Sequence, residues 1–331
     1  MFVVARAREQ LEGRCLRLAL PEGADSRIVT AAARLTKEHG VRCILVGSPE
    51  IVRATMVTEN IPADIVDIID PGTQPPDRAL IEACLTIRPD MRREIAERLI
   101  RKPLMHAGLL VATGRADAMV AGVTCPTARV IEAAMMTIGL TDGAKTPSSC
   151  FVVQPRVTPE EPLRTLLFAD CAVNADPSPA ELADIALASA RTLRELTDEE
   201  PRIAFLSFST HGSAKHSHVD RVRTAVALAR ERAPQLLIDG ELQADAAISP
   251  RVARTKLASV GNVAGQANVL IFPDLDAANI GYKLVQHLGG AEALGPFLQG
   301  FARTVSDLSR GATVDDIVRT ALVTLMRSLH R

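Results

Sequence analysis

The sequence predicts an α/β fold, with a largely parallel sheet covered by helices and the chain divided into two α/β domains. Three observations predict it. Short apolar runs alternate with amphipathic stretches of helical length almost from end to end, the order that lays helices on both faces of a parallel sheet. The 331 residues, 47% of them hydrophobic, are enough for two cores or one large one. Near Thr146-Pro147 the alternation breaks, and two strand-like runs follow that fit an antiparallel pair.

The elements follow in order. Leu16–Pro21 reads as a strand, Asp25–His39 as an amphipathic helix, Arg42–Val46 as a strand, and Pro49–Thr58 as a helix. Ile65–Ile69 is a further strand. Pro76–Thr113 is helical in pattern, broken at Arg88-Pro89-Asp90 and at Pro103. Ala118–Ala121 is a short buried strand, and Thr127–Ile138 a helix stopped by Gly139. Beyond the seam, Ser149–Gln154 and Arg164–Phe168 form the expected pair. Helices Ala180–Leu193 and His218–Arg232 then alternate with strands Ile203–Phe208, Gln235–Asp239 and Val269–Phe272, followed by helix Ala277–Leu288. The last helix, Val314–Leu329, carries Val314, Ile317, Val318, Leu322, Leu325 and Met326 at spacings that fit one face. Pro155–Pro162 and Asp176–Pro179 have loop composition.

Composition excludes several classes. Net charge is −1, from 38 basic and 39 acidic residues, which argues against nucleic acid as a main partner. Trp is absent and Tyr282 is the sole tyrosine, which removes most stacking platforms for single strands. Cys15, Cys43, Cys84, Cys125, Cys150 and Cys171 are scattered, without a CxxC pair or zinc spacing, so reduced thiols are expected, buried at Cys43 and Cys150. No segment has the length of uninterrupted apolar sequence that a membrane helix needs, and Arg6 and Arg8 interrupt any signal core at the N-terminus. A cytoplasmic protein without membrane attachment is expected.

Four loops carry chemistry, each with a plain structural explanation beside the functional one. Leu20–Arg27 (LPEGADSR) follows the first strand, where Asp25 suits a helix N-cap and the loop suits the rim of a ligand site. Phe208–Lys215 (FSTHGSAK) follows another strand. Its small hydroxyl residues, Ser209 and Ser213 among them, let backbone N–H groups approach a phosphate, although it lacks a Walker ending. His211, His216 and His218 have no carboxylate at a useful spacing for metal, and no metal site is expected. Asp239, Glu241 and Asp245 read first as acids at a strand end and helix start, and second as acid–base groups. Ser306–Asp316 (SDLSRGATVDD) is the sharpest: Thr313 to Asp316 has capping-box spacing, and Ser309-Arg310 lies just before that helix start, where an anion or a developing oxyanion is favoured.

The segments LPEGADSR, Phe168–Ala190 (FADCAVNADPSPAELADIALASA), FLSFSTHGSAK, DGELQADAA, GQANVLIFPDLDAANIGYKLVQHLGGAEALGP and DLSRG resemble those of phosphate acetyltransferases, in family order and over nearly the whole chain. The short form is similar to the compact bacterial enzymes, including the ethanolamine-utilisation branch. The resemblance implies two α/β domains flanking a cleft, as in isocitrate and isopropylmalate dehydrogenases. Residues 1–146 with 305–331 would form the first domain and 147–304 a second, dimerising one. It implies a homodimer and reversible acetyl transfer between coenzyme A and phosphate, with coenzyme A as a substrate and no cofactor. Alternatives are a propionyl or butyryl transferase and a catalytically impaired acyl-CoA-binding regulator. By resemblance, Asp316 takes the thiol proton, Ser309 positions the thiol, and Arg310 holds the phosphoryl group and the tetrahedral oxyanion. Arg88 matches a further family arginine, and Thr127, Ser209 and Ser213 join it as substrate-binding candidates. One departure concerns the helix after Ala121-Gly122. The family carries an acid and then an arginine three residues on, whereas this chain has Arg129 and then Glu132. Either the two form an intrahelical pair of reversed polarity, or Glu132 faces an anionic ligand.

Overall fold

A computed structural model describes residues 1–73, 75–156 and 164–330. It resolves into two compact units. One comprises Phe2–Asp142 together with the chain from Phe301 onward; the other comprises Gly143–Gly300 with Met1.

In the first unit, α1 (Phe2–Leu11) precedes β1 (Arg17–Leu20), α2 (Ser26–His39), β2 (Arg42–Val46), α3 (Pro49–Thr58) and β3 (Asp67–Ile69). The long helical stretch becomes three helices, α4 (Arg78–Ile87), α5 (Arg93–Leu99) and α6 (Pro103–Ala112), with breaks where the prolines put them. β4 (Ala118–Ala121) and α7 (Thr127–Thr137) follow. The helix α1, absent from the sequence reading, buries Val3, Val4, Ala7 and Leu11 along one helical face.

The second unit holds β5 (Ser148–Gln154), β6 (Leu166–Ala169), α8 (Pro179–Leu196), β7 (Arg202–Leu206), α9 (Ser217–Arg232), β8 (Leu237–Leu242), α10 (Ala244–Ile248), α11 (Pro250–Lys256), β9 (Val269–Ile271), α12 (Leu275–His287) and β10 (Glu292–Gln299). Its strands run in the order β10-β5-β6-β9-β7-β8. The β5–β6 pair is antiparallel as expected, and β6, β9, β7 and β8 pair in parallel. The strand β10 is missing from the sequence reading. Gly295-Pro296 has the composition of a turn, but here it sits at a register shift between Leu294 and Phe297, where the ladder tolerates a missing N–H. Pro155–Pro162, read as a loop, lies mostly outside the described residues.

The chain then returns to the first unit as β11 (Thr304–Asp307) and α13 (Val314–Ser328). The sheet there has the order β3-β2-β1-β4-β11, parallel throughout. In β11, three of the four residues are polar, which hides it from an apolar-run criterion. All four are buried, and the Ser306 hydroxyl accepts from Thr324 of α13 at 2.8 Å. The last helix buries Ile317, Val318, Leu322, Leu325 and Met326 of its predicted face, but Val314 is only half-buried, and from Thr320 to Arg327 every residue is buried, so its second half is enclosed on all sides rather than on one face. Cys43 and Cys150 are fully buried, as expected.

Strand order reverses direction between β1 and β4. In an open parallel sheet that reversal opens a crevice at the carboxyl ends of the strands, because the flanking connections leave in opposite directions. The loops after β1, β4 and β11 therefore share one edge of the first unit's sheet.

Candidate active site

The three loops are bound to one another through charged side chains. Glu22, in the loop after β1, is 8% exposed and turns its carboxylate toward the loop after β4. Oε2 accepts from the backbone N–H groups of Gly122 at 2.8 Å and Val123 at 2.9 Å. Oε1 accepts from the N–H of Thr124 at 2.7 Å and from its hydroxyl at 2.6 Å. Successive N–H groups turned the same way make an anion nest, and here the protein fills its own nest.

Asp25 is the N-cap of α2, accepting from Arg27 N at 2.9 Å, so the capping explanation of that loop holds. The Arg27 guanidinium holds the Asp25 carboxyl below its usual range, against the opposing effect of burial. From there it donates through Nη1 to the carbonyls of Arg310 (2.8 Å) and Ala312 (3.0 Å), and through Nη2 to that of Val123 (3.4 Å). One planar cation thus ties the loops after β4 and β11 together.

The loop after β11 carries the candidate triad. Ser309 is exposed, and its hydroxyl accepts from Gly311 N at 3.2 Å. Arg310 is exposed and, among the described residues, its guanidinium has no hydrogen-bond or ion-pair partner, although its carbonyl is pinned by Arg27. Thr313 and Asp316 form a complete capping box at the start of α13. Asp316 Oδ2 accepts from Thr313 N at 3.0 Å and from its hydroxyl at 2.8 Å. A fixed backbone, a free cation and a helix start within a few residues are features that suit an anion.

Thr127 is the first residue of α7 and donates its hydroxyl to Oδ2 of Asp307, the last residue of β11, at 2.5 Å. Asp307 is 1% exposed. Burial pushes its carboxyl up to about 7, opposed by the hydrogen bond from Thr127 and helped by the nearby Glu22 charge. Asp307 was not singled out by sequence reasoning, nor were Glu22, Arg27 and Gly122, although all lie in quoted segments. The available signal was an acid closing a strand-length segment just before Ser309-Arg310, and a glycine directly after a fully apolar strand.

Gly122 shows why that glycine is needed. Its φ is +118°, and a Cβ there would lie 2.3 Å from Asp307 Oδ1 and 2.6 Å from the Leu308 carbonyl. Gly122→Ala is expected to cost more than about 3 kcal/mol, from backbone strain and a clash with main chain that cannot move aside. Denaturant unfolding would show it against Gly47→Ala, where open space surrounds the position. Equal stability of the two variants would contradict the close approach.

The remaining candidates fall elsewhere. Arg129 and Glu132 pair along α7 at 2.7 Å, with both side chains more than half exposed. The intrahelical pair of reversed polarity is therefore what this chain forms. Arg88 caps the end of α4 and donates to the Met135 carbonyl at 2.9 Å, in the last turn of α7. Eight residues of helix, about 12 Å at 1.5 Å per residue, separate that end from Thr127. Arg88 Nε is buried without a hydrogen-bond partner among the described residues.

Ser209 and Ser213 lie in the second unit, where the loop closes on an internal carboxylate. Ser209 Oγ donates to Glu241 Oε1 at 2.8 Å, Gly212 N donates to the same oxygen at 2.7 Å, and Ser213 Oγ accepts from Thr210 N at 3.0 Å. Burial raises the Glu241 carboxyl, but these hydrogen bonds and the Arg223 charge outweigh it and leave it lowered. The other acids are also held: Asp239 by His211 and Arg230, and Asp245 by Lys256. His216 caps α9 through Nδ1, which accepts from His218 N at 3.2 Å. Among the described residues no three His, Cys, Asp or Glu side chains group to hold a metal ion. Burial, with Glu22 alongside, pushes the Cys125 thiol up to about 12, which disfavours the thiolate a nucleophile needs.

The chain is similar to known proteins over its whole length. The family model described as phosphate acetyl/butaryl transferase matches residues 2–325. A phosphate acetyltransferase of Clostridium acetobutylicum is 41% identical over 94% of this chain and 94% of its own. A phosphotransacetylase structure from Streptococcus pyogenes superposes with a TM-score of 0.92 at 38% identity, covering 100% of this chain and 99% of the other. A 4-hydroxythreonine-4-phosphate dehydrogenase from Klebsiella pneumoniae, 13% identical, covers 95% of this chain and 99% of its own with a TM-score of 0.54, which shows a shared fold alone. A free arginine at a helix start, on the carboxyl edge of a mixed α/β fold, thus lies in a chain that belongs to the phosphate acetyl/butaryl transferase family.

Proposed function

We propose that the protein transfers an acetyl group reversibly between coenzyme A and phosphate: acetyl-CoA plus phosphate gives acetyl phosphate plus CoA. The observation that carries this reading is Arg310, exposed beside Ser309 just before α13, whose guanidinium has no hydrogen-bond or ion-pair partner among the described residues while its carbonyl is held by Arg27. Family membership supplies the reaction class.

In the direction of acetyl-CoA synthesis, the thiol sulfur attacks the acetyl carbonyl carbon. The carbon–sulfur bond forms, the tetrahedral oxyanion collapses, and the bond to the phosphate oxygen breaks. Arg310 holds the phosphoryl group and the oxyanion, Ser309 orients the sulfur, and Asp316 accepts the thiol proton. A thiol of pKa ~8.5 and a carboxyl of ~3.9 are poorly matched for full transfer beforehand. The proton therefore moves as the carbon–sulfur bond forms. No metal and no covalent acyl-enzyme enters the scheme.

Mixing the protein with CoA and acetyl phosphate, and following thioester absorbance, tests the reading, with butyryl phosphate run in parallel. Acetyl-CoA formation faster than butyryl-CoA formation is expected. A preference for butyryl phosphate would reassign the acyl group, and CoA binding without turnover would make the protein a binding module.

The assembly is a homodimer, and its site a cytoplasmic one. Among the described residues no helix is long and apolar enough to cross a membrane. Support for a dimer comes from α12, which packs Ala278, Tyr282 and Val285 on its own core yet exposes Ile280 (56%), Leu284 (51%) and, just past its end, Leu288 (82%). Residues at this spacing line one helix face, and such a stripe suits the self-complementary contact of a two-fold pair. Leu284→Glu is expected to convert the dimer to monomer in light scattering. A monomeric wild type, or a variant that stays dimeric, would remove this surface from the assembly.

A further inference from the structure

Asp307 has no part in the scheme above, yet it is the buried acid closest in sequence to Ser309 and Arg310. Its Oδ2 accepts from the Thr127 hydroxyl, and its Oδ1 is buried without a hydrogen-bond partner among the described residues. The Cα of Gly122 closes over that oxygen. Thr127 itself is half-buried and opens α7, whose N-cap, Pro126, offers no side-chain cap, so the first N–H groups of the helix have no side-chain acceptor there. A hydroxyl has one proton to donate. Where that proton points depends on its neighbour.

We propose that Asp307 is a positioning residue that sets the polarity of the Thr127 hydroxyl, and through it the affinity of the helix start for a phosphoryl group. When Asp307 carries its proton, it donates to Thr127 Oγ1, and Thr127 donates outward to a phosphoryl oxygen. When Asp307 has lost the proton to solvent, Thr127 must donate inward and presents only lone pairs to the anion. The ionised carboxylate also adds a like charge behind the site. The inference deepens the acetyl-transfer reading and rests on it for the identity of the ligand.

The groups that face Asp307 are few. Glu22, from the loop after β1, repels its ionised form. Cys125, from the loop after β4, is a neutral thiol, itself within the field of Arg129. Thr127 is the contact from α7, and from α13 the neighbour of β11 is the neutral Thr324–Ser306 hydroxyl pair. Burial, the largest effect, and Glu22 favour the protonated acid against the hydrogen bond from Thr127 and the neighbouring Leu308 backbone N–H, and the balance puts its titration at about 7, within the working range of an enzyme. A raised carboxyl keeps its proton below that pH and loses it above, so phosphoryl affinity falls as pH rises.

Equilibrium binding of acetyl phosphate without CoA tests this, because acetyl phosphate is a dianion across the range and no turnover is needed. Between about pH 6 and about pH 8, the Kd of the wild type should rise roughly tenfold, as expected when the competent form is one side of a single titration. Asp307→Asn always has an N–H to offer Thr127, and its Kd should change less than about twofold over that range, near the wild type's low-pH value. Thr127→Val should bind weakly and without the slope, and Thr127→Ser should restore it. A flat wild-type profile, or a tenfold slope that survives in Asp307→Asn or Thr127→Val, overturns the inference. Absence of acetyl transfer by a wild type that shows the slope would instead overturn the reaction assignment.

Discussion

Asp316→Asn is expected to lower kcat by about two to four orders of magnitude, the usual contribution of general acid–base catalysis, with little change in CoA affinity. The prediction is sharp because the substitution spares the helix. Asp316 accepts from Thr313 N and Oγ1 to complete the capping box of α13, and the Asn carbonyl oxygen accepts the same hydrogen bonds. What it loses is the ability to take a proton. Steady-state rates with both substrates saturating, beside a thermal unfolding curve, separate the two roles. Unimpaired turnover would confine Asp316 to capping, and a large drop in stability would make the rate loss uninformative about chemistry.

Arg310→Ala is expected to lower kcat/KM for acetyl phosphate by about two to three orders of magnitude, the loss typical when one preorganised partner of a developing oxyanion is removed. The fold should be indifferent. The guanidinium is exposed and makes no hydrogen bond or ion pair with the described residues, while the loop is held through the Arg310 carbonyl, which any residue supplies. Arg310→Lys should recover only part of the loss, since an ammonium cannot reproduce the two-pronged geometry. Activity of Arg310→Ala close to wild type would remove the phosphoryl group from this loop.

Much of this architecture is legible in the sequence, and the gaps have physical reasons. The βα alternation and the antiparallel pair at the seam announce themselves because buried strands of a parallel sheet are continuous apolar runs, as in Ala118–Ala121. β11 does not, because three of its four residues are polar, and the hydroxyls that meet Ser306 and Asp307, those of Thr324 and Thr127, lie far along the chain. β10 does not, because Gly295-Pro296 is punctuation everywhere except at a register shift. At the site, Ser309, Arg310 and Asp316 share one loop and one helix start, so a local motif exposes them. Asp307 with Thr127 spans 180 residues, and Glu22 with Gly122 spans 100. No local spacing rule reaches that far. The Arg129–Glu132 reversal shows the converse. It disturbs the family pattern, yet the pair is exposed and closed on itself, and such pairs contribute at most about 1 kcal/mol.

The central claim is that the loop from Ser309 to Gly311 is where the phosphoryl group sits. Calorimetric titration of inorganic phosphate into wild type, Arg310→Ala and Arg129→Ala measures it most directly. Binding should weaken at least about tenfold, a loss of about 1.4 kcal/mol, in Arg310→Ala and stay near wild type in Arg129→Ala. Undiminished phosphate binding by Arg310→Ala would contradict the account, whatever the activity of the wild type.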